Sequence, residues 1–419
     1  MLYSEDVLWI VIVGFIIAFI LAFGIGANDV ANSFGTSVGA KVLTLTQACI
    51  LATICEFLGA VLLGMKVSGT IRDGIVKSEL LIDNEKAPKI MLLGYLSSLI
   101  GACIWLLVAT FFRLPVSGTH SIVGAVMGFG LVLFGFNGIH YMVIIKIVIS
   151  WFVSPFLSGG ISVLFFFILK RFVLNKPDGL EPALLTLPLI FGICIIVNVF
   201  SILQSAPEKF QFNAIPFYGK VILSFGLGIL CAIIVKFIIN PRLRDLVIKD
   251  RPPEAKVFSY AQIVTAVFGS FAHGGNDVSN AIGPLIAIWL IGTTGLLRPE
   301  VETPIYLLIY GGIGITVGLW IWGRRVIQTL GEDLTAITPS SGLSIELGSA
   351  LTVLLASNIG IPVSTTHCKV GSVVMVGRFR SKENVNWKIM RNIFIAWLVT
   401  VPASAAISAL CMYLFKFAV

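Results

Sequence analysis

The sequence predicts an all-α polytopic membrane protein built from two related halves. Three observations predict it: a scarcity of charge, a duplicated set of polar motifs, and flanks of opposite sign around the two copies. Of 419 residues, 57% are hydrophobic and 12% are charged, and the mean hydropathy is +0.99. A soluble domain carries about 25% charge and roughly 45–50% apolar residues. That contrast excludes disorder, a secreted disulfide scaffold and an ordinary cytosolic enzyme.

The net charge of +8 invites a nucleic-acid reading. The basic residues, however, fall in gaps between apolar runs rather than on one face. They are Lys170, Arg171 and Lys176; Arg242, Arg244, Lys249, Arg251 and Lys256; and Arg378, Arg380, Lys382, Lys388 and Arg391. An excess of Lys and Arg of this kind marks cytoplasmic loops. The seven Cys are scattered without metal-ligand spacing and read as small apolar fillers. The first residues are acidic, so the run from Val7 reads as a retained span rather than a cleaved signal peptide.

Apolar runs in the first half cover about 7–25, 43–64, 91–112, 121–136, 139–154 and 156–172. Two further segments follow at about 183–204 and 216–239. The motifs then recur. Gly26-Ala27-Asn28-Asp29-Val30-Ala31-Asn32 returns as Gly274-Gly275-Asn276-Asp277-Val278-Ser279-Asn280, 248 residues later. Pro115-Val116-Ser117-Gly118-Thr119-His120 returns as Pro362-Val363-Ser364-Thr365-Thr366-His367, 247 residues later. Ser150-Trp151-Phe152-Val153 and Ala396-Trp397-Leu398-Val399 form a third pair at 246, with Pro155 opposite Pro402. Three landmarks in one order at nearly one spacing define repeats over 1–172 and 248–419, joined by a linker over 173–247 that holds two helices.

The first half begins with Glu5 and Asp6 and ends with Lys170 and Arg171. The second begins after the basic 242–256 loop and ends in a weakly charged tail. The halves therefore run in opposite directions, with both termini outside and the 242–256 loop cytoplasmic. This is an inverted-topology repeat, a construction of many secondary transporters. Inversion needs an odd number of crossings per half, and six runs is even. One run is therefore expected to be short or part of a re-entrant hairpin, with the tract around Pro115-Val116-Ser117 the best candidate. The expectation is broken helices, two re-entrant hairpins and about 10–12 transmembrane helices.

Polar residues inside apolar runs mark the candidate site. A carboxylate at the bilayer centre costs at least ~2.5–3.5 kcal/mol and needs a partner or a cavity. One Asn-Asp pair could be an interfacial helix cap, but twin copies point to function. Asn28, Asp29 and Asn32, with Asn276, Asp277 and Asn280, offer oxygen ligands of the kind hard cations take. Ser117, Gly118 and Thr119, with Ser364, Thr365 and Thr366, follow Pro where a helix can start. Free N–H groups and the positive dipole end make such a start an anion site, and two of them could surround a tetrahedral oxyanion. His120 and His367 occupy matching positions and either relay protons or tie each hairpin to a neighbour. Glu56 and Glu346 are cavity-facing or interfacial charges. Lys369, opposite Ile122 in the first copy, either biases the site towards anions or snorkels outward.

The duplicated Gly-x-Asn-Asp-Val-x-Asn and Pro-Val-Ser-x-Thr-His motifs resemble those of the inorganic phosphate transporter (PiT) family. The resemblance covers nearly the whole chain outside the linker. The stretch from Gln47 to Glu56, followed by Lys66-Val67-Ser68-Gly69-Thr70-Ile71-Arg72, is similar to its sodium-dependent branch. The resemblance implies phosphate held at the midplane between the two hairpins and cations near the two Asn-Asp motifs. The expected phosphate ligands are Ser117, Gly118, Thr119, Ser364, Thr365 and Thr366 with Asp29 and Asp277. The expected Na+ ligands are Asn28, Asp29, Asn32, Asn276, Asp277 and Asn280, and His120, His367 and Glu56 are candidates for proton transfer or gating. Two departures separate the copies: Gly118 stands against Thr365, and Ala27 against Gly275. Larger members carry a long central insert, whereas the linker here is short.

The expectation is a symporter in the cell (inner) membrane that imports phosphate with Na+, with no enzymatic activity and no cofactor beyond the coupling ion. The alternative is a proton-coupled carrier of phosphate, a metal–phosphate complex or sulfate. The expected partners are phosphate, Na+, the bilayer and a second copy in a homodimer, with no nucleic acid.

Overall fold

The protein is described here by a computed structural model covering residues 2–81, 83–250, 252–297, 303–323, 334–381 and 385–418. Arg251 and Lys382, two of the basic loop residues, lie outside the described residues. Among the described residues every long element is helical, and ten helices are long and apolar enough to cross a membrane.

The first motif set lies on α1 (Leu8–Asp29), α2 (Ala31–Gly39), α3 (Leu45–Asp73), α4 (Ala87–Phe111), α5 (Gly118–Phe134) and α6 (Tyr141–Leu169). Then come α7 (Leu180–Ser205), α8 (Phe217–Ile234) and the short α9 (Asn240–Val247). The second set lies on α10 (Pro253–Thr294), α11 (Ile305–Trp322), α12 (Pro339–Asn358), α13 (Thr365–Arg380) and α14 (Trp387–Phe415).

Local chemistry sets the boundaries that matter. Thr44 and Gln47 form a reciprocal capping box at the start of α3. Ser117 caps α5 by accepting from His120 N at 3.2 Å, and Ser364 caps α13 by accepting from His367 N at 3.1 Å. Both matching hexamers thus end in a helix start, as their Pro-Val-Ser pattern predicts.

One expectation changes. The runs 139–154 and 156–172 are one helix, α6, with Pro155 inside it. Proline cannot donate to the carbonyl four residues back, which is that of Trp151. His367 Nδ1 donates to that carbonyl at 3.1 Å, so the freed acceptor is satisfied from another helix and α6 continues. The first motif set therefore has five long helices, with the interruption at 112–117. The two Asn-Asp motifs sit on different backbone. Between α1 and α2 the helix is interrupted at Val30, whereas α10 runs unbroken for 42 residues through Asn276, Asp277 and Asn280. Side chains along α10 satisfy the second Asp, so its backbone need not unwind.

The helices of the two sets interlock. α1 packs against α11, α3 against α10, α5 against α14 and α6 against α13. The contacts at the first two crossings are backbone on backbone. A Cβ on Gly26 would overlap the Ile315 carbonyl, one on Gly318 the Phe23 carbonyl, and one on Gly274 the Glu56 carbonyl. α7 and α8 pair with each other, and α8 leaves Phe217, Ile222 and Phe225 exposed on an outer apolar face.

Candidate functional site

The Asn-Asp and Pro-Val-Ser motifs converge in the middle of the bundle. All twelve expected cation- and phosphate-site residues are buried. The first Asn of each motif holds the chain before the hairpin helix of its own half. Asn28 donates from Nδ2 to the Leu114 carbonyl at 3.0 Å and accepts from Val116 N at 3.2 Å. Asn276 donates from Nδ2 to the Val363 carbonyl at 2.9 Å and accepts from Ser357 Oγ at 3.3 Å.

The second Asn of each motif reaches the opposite half. Asn32 Nδ2 donates to Thr366 Oγ1 at 2.9 Å, and Asn280 Nδ2 to Thr119 Oγ1 at 3.3 Å. The two threonines close the exchange. Thr119 Oγ1 lies 3.1 Å from the Val363 carbonyl, and Thr366 Oγ1 lies 3.1 Å from the Val116 carbonyl and 3.2 Å from Asp29 Oδ1. Each Pro-Val-Ser segment is therefore latched to the other and to the other's Asn-Asp motif.

The two acids differ. Asp277 Oδ2 accepts from Thr365 Oγ1 at 2.7 Å and pairs with His273 Nε2 at 2.6 Å. Its Oδ1 accepts from Asn276 Nδ2 at 2.8 Å. Asp29 receives the Thr366 hydroxyl on one oxygen and lies against the Gly118 backbone N–H, while no side chain donates to its Oδ2. The reason lies at the sequence difference between the hairpins. Gly118 stands where Thr365 supplies a hydroxyl, and a Cβ there would lie 3.0 Å from Asp29 Oδ2. Asn32 Oδ1 and Asn280 Oδ1 are likewise buried without a partner, because both amides are engaged through nitrogen. Pro284 also deprives the Asn280 carbonyl of its usual donor four residues on. The site thus contains several oxygen acceptors of the type a hard cation takes.

Glu56 belongs to this centre. Its Oε2 lies 2.6 Å from His273 Nδ1, and its Oε1 accepts from Ser270 at 2.9 Å and Ser33 at 3.2 Å. His273 therefore bridges two carboxylates, one at each ring nitrogen. Sequence reasoning missed it because its counterpart, 248 residues earlier, is Ile25. Its position four residues before Asp277 on one helix face was the available signal.

Glu346 anchors a second buried cluster, accepting from Thr36 and Ser37 at 2.6 Å, Gln262 at 3.1 Å and Thr265 at 2.6 Å. His120 and His367 do meet, with ring centroids 4.3 Å apart, flanked by Trp151 and Trp397. They form the floor of a cavity of about 440 Å³ between α6 and α14, lined largely by apolar side chains. Of the two roles open to His367, its bond to the Trp151 carbonyl supplies the tie to a neighbouring helix.

A bundle of apolar helices enclosing paired carboxylates, amide oxygens and two opposed helix starts defines a membrane carrier for ions. Comparison with known proteins narrows the class. Residues 25–408 match the family described as the phosphate transporter family. The chain is 36% identical to sodium-dependent phosphate transporter 1-A of Danio rerio, in an alignment covering 99% of this chain and 96% of that protein. It is 34% identical to sodium-dependent phosphate transporter 1 of Homo sapiens, covering 99% and 97%. A solved structure titled "The sodium-dependent phosphate transporter" superimposes with a TM-score of 0.90 at 40% identity, over 98% of this chain and 100% of that one. This chain belongs to the phosphate transporter family.

Proposed function

We propose that the protein is a secondary active symporter that imports inorganic phosphate with Na+ down the sodium gradient. The observation that carries this reading is the reciprocal latch: each hairpin threonine is seated on the other half's Asn-Asp motif, beside oxygens of Asp29, Asn32 and Asn280 to which no side chain donates. The sodium-dependent relatives support the coupling ion and disfavour the proton-coupled and sulfate alternatives.

In this reading the helix starts at Gly118 and Thr365, with Ser117, Thr119, Ser364 and Thr366, supply N–H and hydroxyl donors to phosphate. Na+ is held by Asp29, Asn32 and Asn280 and on the Asp277 side, while Asn28 and Asn276 keep the hairpins in place. Sodium offsets carboxylates that otherwise repel the anion, and phosphate in turn stabilises sodium, so each raises the other's affinity. The anion passes through chemically unchanged. Units 1–172 and 248–419 act as inverted repeats around the 173–247 linker, with both termini outside and the 242–256 loop cytoplasmic. Alternating access comes from one bundle moving against the other around the midplane site. A homodimer in the cell membrane is the proposed assembly.

The test is uptake of labelled phosphate into proteoliposomes with Na+ or choline outside at fixed pH. Uphill, Na+-dependent uptake is expected, and equal uptake in both media would sink the proposal.

A further inference from the structure

Four carboxylates in the bundle, Asp29, Glu56, Asp277 and Glu346, are 1% exposed or less, and each receives at least one hydrogen bond. Beside them stands one ammonium, that of Lys369 on α13, 3% exposed. Among the described residues its Nζ has no hydrogen-bond partner, and no ion pair within 4.0 Å joins it to a carboxylate. Glu346 is the acid it influences electrostatically, yet both Glu346 oxygens are already served by hydroxyls and an amide. His273 and Asp277, the other ionisable groups on this side, pair with each other. Glu346 is thus a nearby counter-charge, but the N–H donors of Lys369 meet no acceptor among the described residues.

Lys369 borders a cavity of about 20 Å³ that it shares with Asn32, Ser33, His273, Ser349 and Thr365. That is room for a single water, and it opens directly onto Thr365 and Asn32 of the transport site. A buried ammonium without a hydrogen-bond acceptor is costly, because its hydration is lost and no polar atom replaces it. A polar site that receives an anion in each cycle supplies the missing partner.

We propose that Lys369 is a direct ligand of the transported anion, drawing it off the axis between the hairpins towards the second one. The inference rests on the phosphate-symport reading and deepens it. In the first half the equivalent residue is Ile122, so the two hairpins are unequal hosts. A fixed positive charge in the site favours a doubly charged tetrahedral oxyanion over a singly charged one. It also reduces the number of cations that must accompany the anion.

The test uses the full chain with inorganic phosphate as the probe. Lys369→Met is expected to raise KM for phosphate at least tenfold. It also removes the rise in melting temperature that phosphate adds in saturating Na+. Stabilisation by Na+ alone stays at the wild-type level. Lys369→Arg keeps KM within about threefold. Wild-type KM and phosphate stabilisation in Lys369→Met overturn the proposal. A variant that fails to fold, or loses its Na+ response, also overturns it, by showing Lys369 to be a structural counter-ion of Glu346. If the wild type shows no Na+-dependent uptake, the symport reading fails separately, and the phosphate melting shifts still decide whether Lys369 binds the anion.

Discussion

Asp29 and Asp277 sit in nearly identical heptapeptides, yet the two acids live differently. Asp277 is surrounded by donors from Thr365, Asn276 and His273, and His273 passes on to Glu56. Asp29 has one hydroxyl neighbour, the Gly118 backbone N–H, and an oxygen that no side chain serves. Two substitutions account for the contrast: Thr365 faces Gly118, and His273 faces Ile25. A duplicated motif therefore does not make duplicated sites. One copy is paired with a histidine, and the other keeps an oxygen that no side chain serves.

The largest expected effect tests that division. Asp29→Asn and Asp277→Asn should each lower Na+-coupled uptake by at least about 100-fold, since the transition requires both charges to be neutralised. They should part company in Na+-free melting. Asp277→Asn leaves His273 half-paired and costs about 3 kcal/mol, whereas Asp29→Asn costs less than ~1 kcal/mol. Equal stabilities would erase the distinction.

His273→Gln should destabilise the protein by about 3–5 kcal/mol, because it leaves Glu56 and Asp277 facing each other without the ring that separates them. Adding Glu56→Gln should recover part of the loss. A double-mutant cycle read by thermal melting is expected to give a coupling above ~1 kcal/mol.

Making the hairpins alike sharpens the comparison further. Gly118→Thr should set a hydroxyl against Asp29 Oδ2 and weaken Na+ affinity about tenfold, or ~1.4 kcal/mol, measured by Na+ titration of uptake. Unchanged affinity would remove that oxygen from the cation site. Modest effects on stability belong to the latch. Thr366→Val, which strips a neighbour from Asp29 and from Asn32, should cost about 1–2 kcal/mol. Thr119→Val, with no carboxylate partner, should cost about 1 kcal/mol or less on the same melting scale.

Much of this was legible in sequence. Charge scarcity marked the membrane, and the paired motifs named residues that do converge. Pro155 misled the count, since an isolated chain gives no hint that His367 will take up the Trp151 carbonyl. His273 was invisible for a different reason: a search for repeats rewards what recurs, and the histidine exists in one copy. The Glu346 cluster draws Thr36 and Ser37 from one distant stretch of chain and Gln262 and Thr265 from another, so no local pattern announces it.

The glycine crossings have a consequence for how the chain is made. α3 meets its closest partner in α10, and α1 in α11, so the first half leaves the ribosome without the surfaces it will press against. Until α10 arrives, Glu56 lacks the Ser270 and His273 donors that later surround it. The first half is thus an unfinished object held in the bilayer, and the second half completes it by insertion rather than by docking. Two fragments divided in the 206–216 connection between α7 and α8 should accordingly assemble when made together and be degraded when made apart.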